Sequence, residues 1–129
     1  MLNEPMSRPR NGIVALENEL LVRDFVDHFN RGSIEQLAQF LHPSIIYRAS
    51  DGPSMRGRAL VLASIAKTRQ TFDQIEVVLR AVGLSEENVL VEFGIQLATG
   101  GGMPRWRTGF ASFQLRDHLI AEWRQMHAA

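Results

Sequence analysis

No cysteine occurs anywhere in the 129 residues. Disulfide staples, thiolate nucleophiles and thiolate metal sites are therefore excluded. No apolar run approaches the roughly 20 residues that span a bilayer. Residues 1–12, MLNEPMSRPRNG, contain no apolar segment of the kind a secretory leader needs, so a cytoplasmic location is expected. Net charge is absent too: 14 basic side chains balance 14 acidic ones. Nothing in that balance favours nucleic acid or an anionic membrane, and neither is expected as a partner. It also removes one barrier to self-association.

What is present describes one globular domain. Hydrophobic residues make up 45% and charged residues 22%, enough to bury a sizeable core in a chain of this length. Residues 1–12 hold two prolines and Asn11-Gly12 and read as a flexible arm ahead of a domain over 13–129. From Ile13 to Asn30 the pattern is helical, with Leu21, Phe25 and Phe29 one turn apart and Val22 and Val26 beside them. Asn30-Arg31-Gly32 supplies a stop, with Gly32 suited to a left-handed cap. Ser33 and Gln36 have capping-box spacing and open a second helix that His42-Pro43 ends. SIIYR at 44–48 is a β-run, and SDGP at 50–53 is turn chemistry. A third helix is predicted over Arg58–Thr71, then strands over 75–82 and 89–97, closed by Thr99 and the glycines 100–102.

The last stretch, Arg105 to His127, is a hairpin: runs at 106–115 and 119–127 around Arg116, Asp117 and His118. Strand side chains alternate between faces. One face of the final run therefore carries Leu119, Ala121, Trp123, Gln125 and His127, and the other Ile120, Glu122, Arg124 and Met126. The order α-α-β-α-β-β-β-β puts helices early and antiparallel strands late, which is an α+β architecture.

The stretches DFVDHFNRGSIEQLAQFLHPSIIYRASDGPSMRG and FQLRDHLIAEWRQMH, with this ordering, resemble the nuclear transport factor two-like superfamily over roughly Ala15–His127. Within it the chain looks like the SnoaL-like polyketide cyclases and the limonene-1,2-epoxide hydrolases. The resemblance implies a cone-shaped α+β barrel, with a curved antiparallel sheet wrapped round the N-terminal helices and a blind apolar pocket between them. It also implies a homodimer packed through the outer sheet surface. The apolar second parity (Leu90, Ala111, Phe113, Ile120, Met126) fits that expectation.

The resemblance carries over one residue at a time. Epoxide hydrolases of this kind place Arg-x-Asp on the strand matching 89–97 and a second Asp two residues after the final Trp. Here the first positions hold Phe93 and Ile95, or Glu92 and Gly94, and the second holds Gln125. Their Tyr-x-Asn is Tyr47-Arg48-Ala49. A carboxamide cannot exchange a proton usefully near neutral pH. Ketosteroid isomerases use a Tyr and an Asp base where this chain has Phe25 and Arg48, which supply neither function. The cyclases' last-strand Asp corresponds to Arg124 or Gln125.

Each catalytic set thus lacks its carboxylate, and the residues leave two classes open. One is an enzyme acting on a small, largely apolar molecule by isomerisation, cyclisation or hydrolysis. The other is a non-catalytic binding or dimerisation module. Phe25, Tyr47, Phe93, Trp123 and Gln125 are expected to line the pocket, with His127 and Tyr47 as candidate catalytic groups. Gln125 would orient a ligand carbonyl or satisfy the Tyr47 hydroxyl. His28 reads as a solvated helix flank, and Glu92 as an outer-face residue. Trp106 between Arg105 and Arg107 resembles a stacking platform for anions or bases, or an exposed hairpin end. Asp24, Asp27 and His28 have helical ligand spacing but no further ligand, so no metal and no cofactor is expected.

Overall fold

The computed structural model describes the backbone of residues 4–127 and the side chains of residues 12–127. The elements are α1 (Glu4–Arg31), α2 (Ile34–Ala38), β1 (Leu41–Ala49), β2 (Met55–Arg56), α3 (Arg58–Thr71), β3 (Gln74–Ser85), β4 (Asn88–Ala98), β5 (Arg105–Arg116) and β6 (Leu119–His127). The fold is α+β, with the N-terminal helices against a six-stranded, curved, unclosed sheet. No helix among the described residues is long and apolar enough to cross a membrane.

Helix α1 starts at Glu4, nine residues ahead of the expected Ile13. Of the expected arm, residues 4–12 are helical, and residues 1–3 lie outside the described residues. Pro5 falls in the first turn, where a missing N–H costs no intrahelical bond, and Pro9 forgoes a single rung. At the other end Gly32 is not left-handed, contrary to expectation. Glycine is required there by space: a Cβ would stand 2.8 Å from the His28 carbonyl oxygen. The helix end is instead capped by Arg69 of α3, which donates to the carbonyls of Gly32 (2.8 Å), His28 (3.0 Å) and Phe29 (2.7 Å). The Ser33–Gln36 capping box forms as its spacing predicts.

The strand order is β2-β1-β6-β5-β4-β3. All neighbours are antiparallel except β1 and β6, which run parallel. This corrects the wholly antiparallel expectation. Residues 50–118 separate β1 from β6, ample for the crossover that a parallel pair needs. The β5–β6 hairpin closes on Asp117 and His118, both at positive φ (55° and 61°), the twist that suits a two-residue hairpin turn.

Bulges reset the side-chain alternation. The β5–β6 register shifts between Gln114 and Leu115, which turns Ile120 inward and leaves it fully buried. Phe113 pairs with Trp123 and Ala111 with Gln125, so both also face inward. Of the five residues expected on the outer apolar face, Leu90 and Met126 are there, joined by Phe110.

The core centres on Phe25 (1% exposed). Its ring meets Trp123 at 5.5 Å, Phe40 at 5.9 Å and Phe113 at 6.1 Å between centroids, all edge-on. Asn30, near the end of α1, pairs its amide with both the N–H and the C=O of Val77 on β3 (2.8 and 2.9 Å). That clamp fixes the helix against the far side of the sheet.

Candidate functional site

The parallel pairing of β1 with β6 sets Tyr47 beside Trp123 and Ala49 beside Gln125. The Tyr47 and Trp123 rings lie edge-on, 4.8 Å apart. They form part of the floor of a cavity of about 320 Å³ between α3 and the sheet. Phe29, Val61, Ile65, Phe72, Ile75, Ile95 and Leu97 make its apolar walls. Tyr47, Asp51, Ser64, Thr68, Arg107, Gln125 and His127 supply its polar groups. The volume is at the low end for small-molecule sites and suits one or two rings.

The expected residues divide. Tyr47, Trp123, Gln125 and His127 all line this cavity, whereas Phe25 and Phe93 do not. Phe25 supports Trp123 from behind. Phe93 is drawn down onto β5, because Gly109 has no Cβ and the ring fills that space. His28 stays away from the cavity, bonded to the Asp24 carbonyl at 2.9 Å. Glu92 borders an outer groove, as its parity predicts. Among the described residues no three His, Asp or Glu side chains cluster as metal ligands would.

Gln125 partners His127 rather than Tyr47, with 3.1 Å between the amide nitrogen and His127 Nε2. His127 Nδ1 and Trp123 Nε1 are buried with no hydrogen-bond partner among the described residues. His127 is nonetheless within the ladder, opposite Gly109 and edge-on to Phe93 at 6.1 Å.

Asp51 is the residue that the sequence did not reveal. The turn after β1 folds over the end of β6, where the Ser50 N–H donates to the Gln125 carbonyl (3.0 Å). That brings the exposed Asp51 carboxylate to the cavity mouth. Burial, and then the Asp51 charge, push the Tyr47 phenol above its ordinary value. The hydroxyl thus remains a donor at neutral pH. A signal existed in SDGP, which follows directly on the strand bearing Tyr47, but only the β1–β6 register shows where that turn points.

The SnoaL-like domain model matches residues 22–123. A solved LEH-like epoxide hydrolase from M. tuberculosis superposes with a TM-score of 0.79 at 18% identity, covering 88% of this chain and 84% of that one. A candidate SnoaL-like polyketide cyclase from Jannaschia sp. CCS1 gives 0.80 at 19% identity, covering 88% and 87%. An NTF2-like protein of unknown function from Burkholderia pseudomallei gives 0.79 at 14%, covering 87% and 91%. At these identities the likeness establishes the fold and leaves the chemistry to the residues. No curated protein matches the sequence.

Proposed function

Because this chain belongs to the SnoaL-like domain family, we propose that it takes a small, largely apolar molecule into the cavity and moves a proton on it. Isomerisation, cyclisation and hydrolysis are the reactions in range. The supporting observation is that a carboxylate, a phenol and a carboxamide share one cavity with a largely aliphatic and aromatic wall from Phe29, Val61, Ile65, Phe72, Ile75, Ile95 and Leu97. Asp51 is the base, at the open side where it meets substrate or water. The Tyr47 hydroxyl donates to the substrate oxygen on which charge develops, and Gln125, fixed by His127, orients the same end. Trp123 packs the body of the molecule.

The rival reading, a binding module without turnover, draws on Gln125, which stands where the resembling enzymes carry a carboxylate. A thermal-shift panel of terpenoid, steroid and polyketide-like compounds finds a ligand, and mass spectrometry then follows its conversion. Conversion that survives in wild type and vanishes in Asp51→Asn, with binding retained, is the expected result. A ligand recovered unchanged from the wild-type protein gives the module reading.

We also infer that two copies pair through the outer sheet face. An open groove of about 730 Å³ runs there, over Leu90, Phe110 and Met126, with Arg48, Glu92 and Arg124 around it. Sedimentation of wild type as a monomer at micromolar concentration would remove this inference.

A further inference from the structure

The polar and apolar groups at the cavity mouth continue into a second space. A groove of about 770 Å³ lies against the hairpin between β4 and β5, and it shares Phe72, Leu97 and Arg107 with the cavity. Its outer part is formed by Met103 (87% exposed), Trp106 (51% exposed) and Arg105. This is costly exposure for a thioether and an indole, and the hairpin that holds them is not loose. The Gly101 N–H donates to Asp73 Oδ2 (3.2 Å), the Asp73 N–H to the Ala98 carbonyl (2.8 Å) and the Gly102 N–H to the Thr99 carbonyl (2.8 Å).

Apart from Asp73, which the Gly101 N–H caps, the charged side chains at this groove are cationic. No carboxylate among the described residues ion-pairs with Arg105 or Arg107. A third guanidinium, Arg80, stands 5.8 Å over the Trp106 ring. Asp51 borders the cavity but not this groove, so the mouth is acidic on the β1 side and basic on the β5 side.

Resting on the cavity reading above, we infer that the ligand is amphipathic. Its ring occupies the cavity. An apolar tail leaves over Phe72 and Leu97 and lies on Met103, and its terminal carboxylate or phosphate passes Arg107 at the cavity mouth to meet Arg105. Successive same-face residues of a strand are roughly 7 Å apart, so a tail of about six carbons spans the distance from one arginine to the next. Guanidinium forks match either oxyanion.

The test uses phenylacetate, phenylbutyrate and phenylhexanoate, the methyl ester of each, phenylhexyl phosphate, and cyclohexanone as a ring without a tail. Binding is measured calorimetrically in wild type, Arg105→Gln and Met103→Ser. Phenylhexanoate is expected to bind about fivefold more tightly than its ester, and phenylacetate, too short to reach Arg105, should bind wild type and Arg105→Gln alike. Phenylhexyl phosphate against phenylhexanoate distinguishes the two oxyanions. Arg105→Gln should erase the acid–ester difference and Met103→Ser the gain with length, both leaving cyclohexanone unaffected. Acid and ester binding alike at every length overturns the tail site while cyclohexanone binding keeps the cavity reading. Failure of every probe, cyclohexanone included, overturns both.

Discussion

Replacing Trp123 by alanine should cost the fold more than it costs any reaction. The side chain is 8% exposed and packs on Phe25, Phe113 and Tyr47 at 5.5, 5.7 and 4.8 Å between ring centroids. Its neighbours are held from behind by α1 and by the β5–β6 ladder, so the gap cannot readily collapse. Deleting a buried aromatic of this size costs about 3–5 kcal/mol in lost transfer energy and cavity. That is a large share of the roughly 5–15 kcal/mol available to a domain. At some 3–5 °C per kcal/mol for a domain of this length, the melting temperature should fall by roughly 10–20 °C. Trp123→Phe behaves differently, because the indole Nε1 has no partner among the described residues to lose. It leaves on the order of 40 Å³ unfilled, about 1 kcal/mol, and relieves an unpaired buried N–H of about 1–3 kcal/mol. Its melting temperature should stay within a few degrees of wild type. Scanning calorimetry of the three proteins decides the matter. An alanine variant that melts with wild type would refute the packing argument, and a phenylalanine variant as unstable as alanine would refute the role given to the unpaired N–H.

Gly109→Ala should destabilise by about 2 kcal/mol or more, since its Cβ would meet the Phe93 ring, which is closed in by the core; chemical denaturation measures it, and an unchanged midpoint would show that the ring can move aside. Burial alone would raise the Glu122 carboxyl, but hydrogen bonds and charge from Arg48 and Arg124 outweigh it and hold the group below its ordinary value. A depressed carboxylate contributes stability above its unfolded-state pKa and loses it as pH falls through the folded one. Glu122→Gln should therefore match the acid-side stability of wild type more closely than its neutral-pH stability, and parallel melting curves from pH 3 to 7 would contradict this. Limonene-1,2-epoxide should not be hydrolysed by a paired-carboxylate route, because Ile95 and Leu97 are the β4 residues lining the cavity and Gln125 holds the last-strand position. Turnover abolished by Asp51→Asn would show that one carboxylate suffices.

Local rules were readable where one element decides the outcome. The alternation on β6 set Trp123, Gln125 and His127 on one face, and the Ser33–Gln36 box and the span of α3 followed from spacing. What stayed hidden depends on contacts between distant segments. The parallel register of β1 with β6 decides that Tyr47 meets Trp123, and that the turn carrying Asp51 closes over Gln125. Bulges are one-residue events that leave no periodic trace, yet one turns Ile120 from outside to inside. Phe93 lies behind the cavity wall through the absence of a side chain at Gly109, a residue on another strand.

The Asn30 clamp has a consequence for aggregation. An open sheet has two margins, and each exposes backbone donors and acceptors to any passing strand. Here one margin is β2, only two residues long. The other is β3, where Asn30 acts as a surrogate neighbour, occupying both backbone groups of Val77. The bulge at Arg80 then breaks the regularity of the same strand. Strand-to-strand annealing into a continuous sheet is discouraged at both ends. Neither margin gives growth into fibrils a template.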